Sequence, residues 1–190
     1  MGKLKLGAAS GGGSVAIEGP ASLGSDKVIK FPTSPGVVIQ TVTATTTAKA
    51  AEDCSTNAFR NGFSFNCTIT PTSTSSRIML FYSISLCTES TTREVTVRPI
   101  RGSTAFLIGD AGGSRTRGSF ARLFSNNTQM ESISFSCLDS PSTTSSINYT
   151  FDYAVMNAGC FLIRNGVFND GDSADTLRGV STITAMEVAG

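Results

Sequence analysis

The 190-residue chain reads as an all-β protein: an antiparallel, jelly-roll-like β-sandwich of about eight to ten strands behind a short extended N-terminal arm. Three observations predict this. Pro-led Ser/Thr turns alternate with β-branched and aromatic runs, most plainly in Pro71–Leu86 and Ser140–Val155. Apolar residues recur at every second position within those runs. Thr, Val, Ile and Phe are abundant while Glu, Lys and Gln are sparse, and such side chains fit a pleated surface better than a helix.

The elements follow in order. Residues 1–36 form an arm rich in Gly and Ser with two very short strands, Val15–Glu18 and Val28–Phe31. Val15, Ile17, Val28, Ile29 and Phe31 are its apolar contacts. Each strand is too short to bury a face alone, so the arm is expected to order on assembly with other chains. Residues 37–190 form the main domain. Val37–Thr47 is its first strand and Glu52–Gly62 a polar connection. Phe63, Phe65, Cys67 and Ile69 share one strand face. Ile78–Cys87 is almost continuously apolar and is expected to be central and covered on both faces. Glu94–Arg101, Thr104–Ile108, Ser119–Phe124, Glu131–Leu138, Ile147–Val155, Cys160–Ile163 and Val180–Val188 complete the series. A closed up-and-down barrel is the alternative arrangement of the same strands.

Composition excludes several function classes. Only 15% of residues are charged and the net charge is +1, so no basic field exists for nucleic acid or an anionic membrane. A surface so poor in charge is expected to be covered by copies of itself or a larger assembly, unless it simply reflects an all-β composition. No apolar run has the length of a membrane span, and none follows Met1 as in a signal peptide. Assembly in a cytoplasm is the matching expectation. The five cysteines show no CxxC spacing and sit mostly in apolar runs, where they act as small buried hydrophobes with free thiols.

Candidate chemistry is thin. With no histidine, a Ser–His–Asp or Cys–His site cannot be built. Asp170, Asp172 and Asp175 form a weak calcium candidate, but a hairpin loop needs the same residues. Asp110, Glu131, Asp139, Asp152, Asp170 and Asp172 are the carboxylates available to a glycan depolymerase, with no Trp platform beside them. The loop Asp110–Gly118 carries Arg115 and Arg117, the first residues to test for binding an acidic surface glycan. No catalytic residue and no cofactor are expected.

The segments SGGGSVAIEGPA, KVIKFPTSPGVVIQTV, ITPTSTSSRIMLFYSIS, RPIRGST, CLDSPSTTSSINYTF and STITAMEVAG together resemble the small structural proteins of tailed bacteriophages, particularly marine and cyanobacterial phages. The resemblance spans most of the chain. It implies a non-enzymatic, homotrimeric virion appendage: a short tail fibre or spike docked on other virion proteins through residues 1–36, with a sandwich knob exposed for attachment to a host glycan or protein. A capsid decoration or cement protein is the alternative. Cyclic closure of a trimer would also let the short arm strands pair between chains.

Overall fold

Fourteen strands and no helix form among the residues described by the computed structural model, which are 4–7, 14–17, 36–125, 127–157 and 159–190. The chain divides into two units, Met1–Thr33 and Ser34–Gly190. The first contributes an antiparallel hairpin of β1 (Leu4–Gly7) and β2 (Ser14–Ile17), with Leu4 opposite Ile17 and Leu6 opposite Val15. The expected Val15 strand therefore finds a partner within its own chain. Val28, Ile29 and Phe31 lie outside the described residues.

The second unit is a sandwich whose chain repeatedly switches sheets. Sheet I takes β3 (Val38–Thr46) and β4 (Ala50–Cys54), and sheet II takes β5 (Arg60–Asn61) and β6 (Cys67–Ile69). The chain returns to sheet I for β7 (Arg77–Thr88). It then builds β8 (Arg93–Arg101), β9 (Thr104–Ala105) and β10 (Phe120–Phe124) in sheet II. Then β11 (Glu131–Asp139) joins sheet I, β12 (Ile147–Val155) joins sheet II, and β13 (Cys160–Arg164) and β14 (Ser181–Val188) finish sheet I. Two open sheets result, not a closed barrel.

In sheet I, β7 is central. β11 pairs along one edge, while β14 and β13 share the other, at Arg77–Ser83 and Leu86–Thr88 of β7. β3 lies outside β14 and β4 outside β13. Sheet II is built the same way: β10 and β9 share the outer edge of β8, and β6 and β5 share that of β12. Pro99 fits because of this division. A strand residue points its N–H and C=O to the same edge, and the Pro99 carbonyl accepts from Phe106 N–H. The missing N–H therefore falls between the β10 pairing, which ends at Val97, and the β9 pairing, which begins at Ile100.

Period-two alternation places the core between the sheets. Ile78, Leu80, Tyr82, Ile84 and Leu86 of β7 face Ile147, Tyr149, Phe151, Tyr153 and Val155 of β12, all of them buried. Phe120, Phe135 and Tyr82 stack in series, with ring centroids 4.2 and 4.5 Å apart, and join β10 to β11 and β7.

Four expectations need correction. The second unit alone has twelve strands, because short ones flank the long ones. Part of the polar connection at 52–62 is strand: β4 ends at Cys54 and β5 occupies Arg60–Asn61, pairing on β13 and β12. Phe63 and Phe65 are not in a strand with Cys67, because Phe63 (φ 57°) and Ser64 (φ 54°) turn the backbone left-handed. And β7 is covered on both faces only at its end, where Cys87 packs with Ile163, Val167 and Met130; Met79, Phe81, Ser83 and Ser85 point away from the core and remain at least partly open.

Candidate functional site

The outer faces of the two sheets differ, and the difference starts with which residues the pleat turns outward. On sheet II the face is overlaid by the protein's own loops. The Arg98 guanidinium lies 3.8 Å from the Phe59 ring centroid and is paired with Asp152 at 2.8 Å. Gly118 passes so close to Thr96 that a Cβ there would sit 1.8 Å from Thr96 Oγ1, so only glycine lets this loop lie on β8.

Sheet I carries such a covering only at one end, where Val167 and Met130 pack over Cys87 and Ile163; the face of β3, β14, β11 and the first part of β7 is open. Its outward residues are Ile39, Thr41, Thr43 and Thr45 on β3, Thr182, Thr184, Met186 and Val188 on β14, Met79, Phe81, Ser83 and Ser85 on β7, and Ser132, Ser134, Ser136 and Leu138 on β11. The register aligns them in rows across the strands. Thr43, Thr184, Phe81 and Ser136 form one row; Thr41, Met186, Met79 and Leu138 form the next. Hydroxyls bridge neighbouring strands, as with Thr43 and Thr184 at 2.9 Å and Ser134 donating to Ser83 at 3.3 Å. No charged side chain interrupts these rows. Arg77 stands at one end, opposite Val188.

The carboxylates named above are mostly tied to cations. Asp139 accepts from Arg101 Nη1 at 3.0 Å and from the Tyr149 hydroxyl at 2.7 Å. Asp152 pairs with Arg98, Glu131 with Arg122, and Asp170 with both Lys49 and Arg178. Asp172 and Asp175 are exposed, and Asp170, Asp172 and Asp175 do not converge: among the described residues no group of three or more acidic or cysteine side chains is placed to hold a metal ion. Arg115 and Arg117 are exposed on one loop, but each braces it. Arg115 Nη1 donates to the Gly112 carbonyl at 3.0 Å and Arg117 Nε to that of Gly109 at 2.8 Å.

No family model matches the chain, and no curated protein matches it significantly. Solved structures with detectable likeness include the VP2 protein and particles of infectious bursal disease virus. A mutant VP2 protein of infectious bursal disease virus aligns at 12% identity and TM-score 0.40, covering 96% of this chain and 46% of that one. The structure of the same virus's Gt strain aligns at 13% and 0.37, covering 93% and 46%. A VP2 subviral particle aligns at 12% and 0.35, covering 89% and 43%. The chain thus spans less than half the length of these neighbours. At such scores the likeness assigns no role.

All five cysteines are free and buried, and burial pushes each thiol up, to about 11 for Cys54 and about 12 for Cys137. The outer face of sheet I was legible as Ser or Thr at every second position in Thr41–Thr45, Ser132–Ser136 and Thr182–Thr184. The hydroxyl-rich, charge-poor composition points to a covered surface, but the sequence alone does not say which face carries it.

Proposed function

We propose that the protein is a virion structural protein: a trimeric short fibre or spike held to the particle through its N-terminal unit, with the sandwich presented outward to a host surface. The uncharged rows that β3, β14, β7 and β11 form on the outer face of sheet I carry this reading. Hydroxyls and thioethers lose little on desolvation compared with Lys or Glu, so a face of this chemistry suits permanent contact with another subunit. Four strands about 4.8 Å apart and seven residues long give it a footprint of about 450 Å². A standard interface takes about 800 Å² from each partner. The face therefore supports a stable oligomer only together with a second contact, for which the N-terminal hairpin is available.

Light scattering on the full chain tests the reading. Three copies are expected at micromolar concentration, and Thr184→Lys, which sets a charge in the middle of the face, is expected to give monomers. A wild-type monomer overturns the trimer. Counting copies on labelled particles separates a fibre, at a few tens or fewer, from a capsid decoration at hundreds. Absence from purified particles overturns the virion role.

A further inference from the structure

We infer that Cys54 and Cys160 form a dithiol that small-molecule disulfides oxidise to a cross-strand disulfide. The two are direct partners in the antiparallel pairing of β4 with β13. Opposite residues point to the same face, and both thiols are buried in the core, at 1% and 2% exposure. Opposed Cα atoms in such a pair stand about 4.5 to 5.5 Å apart, inside the range of about 4.4 to 6.8 Å that a disulfide spans. None of the other cysteines has this arrangement. Cys67 lies opposite Tyr149, Cys87 opposite Ile163 and Cys137 opposite Leu80.

The charges around the pair set its reactivity. Burial disfavours both thiolates and is the largest influence on each. The Arg93 guanidinium acts on the Cys160 thiol and Arg60 on that of Cys54, so each sulfur has a cation that favours its thiolate; Glu89 opposes this at Cys160. Cys160, where Arg93 is the first influence that opposes burial, is assigned as the attacking thiol. Access comes through β4, an edge strand of five residues held only by β13, whose Cys54 end runs into the exposed segment Ser55–Ala58.

The chemistry is thiol–disulfide exchange. The Cys160 thiolate attacks one sulfur of a disulfide RSSR, forming a Cys160–S–S–R bond and releasing RS⁻, which takes up the proton lost by Cys160. Cys54, deprotonated in turn, attacks the Cys160 sulfur and expels the second RS⁻. Two protein thiols are oxidised and one RSSR is reduced to two RSH.

The test treats the reduced full chain with oxidised glutathione under native conditions, then denatures and alkylates it. Alkylatable thiols are expected to fall from five to three, with a mass about 2 Da lower before alkylation and one cross-linked peptide joining Cys54 to Cys160. The melting temperature rises, and dithiothreitol reverses both changes. Cys54→Ser is expected to retain a glutathione adduct on Cys160, which the wild type resolves. Should that variant fail to fold, the wild-type peptide map decides alone. Persistence of all five thiols, or a cross-link involving Cys67, Cys87 or Cys137, overturns the inference.

Discussion

All three tyrosines of the chain cross the sandwich. Tyr82 on sheet I donates to the Thr150 carbonyl on sheet II at 3.2 Å. Tyr149 and Tyr153 reach the other way, to Asp139 at 2.7 Å and Glu52 at 2.6 Å. Burial, first, and then the neighbouring acids in the case of Tyr149 and Tyr153 raise these phenols well above their ordinary value, so they act as fixed donors. Bonds to carboxylates are the stronger kind. Tyr149→Phe is expected to cost about 2 kcal/mol and Tyr82→Phe under about 1 kcal/mol in urea denaturation, and the reverse order would refute the charge argument. Glu187 poses the same question for an acid. It has no exposed surface, yet accepts from Gln40 Nε2 at 2.6 Å and from the Thr72 N–H and hydroxyl, each at 2.7 Å. Burial pushes its carboxyl up, but the hydrogen bonds outweigh this and hold it at about 2, below the ordinary 4.5. A depressed folded pKa contributes stability that is present above 4.5 and lost as the pH falls toward 2. Glu187→Gln should therefore be less stable at neutral pH and should flatten the acid limb of a melting-temperature profile across that window.

Among elements, the long strands were legible and the short ones were not. β12 matches the expected Ile147–Val155 at both ends, and β3, β7, β8, β11 and β14 fall within about two residues of expectation, because each is a long β-branched or aromatic run bounded by turn residues. β4, by contrast, reads AAEDC, with only Cys54 fully buried. Its pairing depends on β13, more than a hundred residues away in sequence. The same limit applies to function: the Ser/Thr alternation was visible, but the rows on sheet I exist only once β3, β14, β7 and β11 are in register. Asn165 shows how such distant elements are joined. It sits at φ 59° with no exposed surface, donates through Nδ2 to the Thr46 and Ala48 carbonyls at 2.9 and 3.2 Å, and accepts from the Ser181 hydroxyl at 2.6 Å. One side chain thus ties the ends of β3, β13 and β14. Asn165→Ala loses these bonds and strains the backbone, for an expected loss of about 3 kcal/mol or more, while Asn165→Gly should recover about 1 kcal/mol of it by removing the strain. Equal losses would mean that the left-handed backbone contributes nothing.

At the scale of the molecule, the division at Thr33 bears on what each unit does. Among the residues whose burial is described, every buried residue of the main hydrophobic core lies between Cys54 and Ala185, and the partly buried residues packed against it begin at Val42. The start of the second unit is anchored locally: Gly36 N–H donates to the Ala189 carbonyl at 2.9 Å, and Ala189 N–H to the Val37 carbonyl at 2.8 Å. Among its described residues the first unit has a hairpin of two four-residue strands, and such a hairpin is marginal on its own in water. Deleting residues 1–33 should therefore leave a cooperatively folding sandwich whose melting temperature stays within about 4 °C of the full chain's. The same deletion should abolish the three-copy assembly, since the outer face of sheet I supplies only about half of a standard interface. A truncated chain that still forms trimers would move the assembly contact to the sandwich, and one that fails to fold would show that the hairpin belongs to its core.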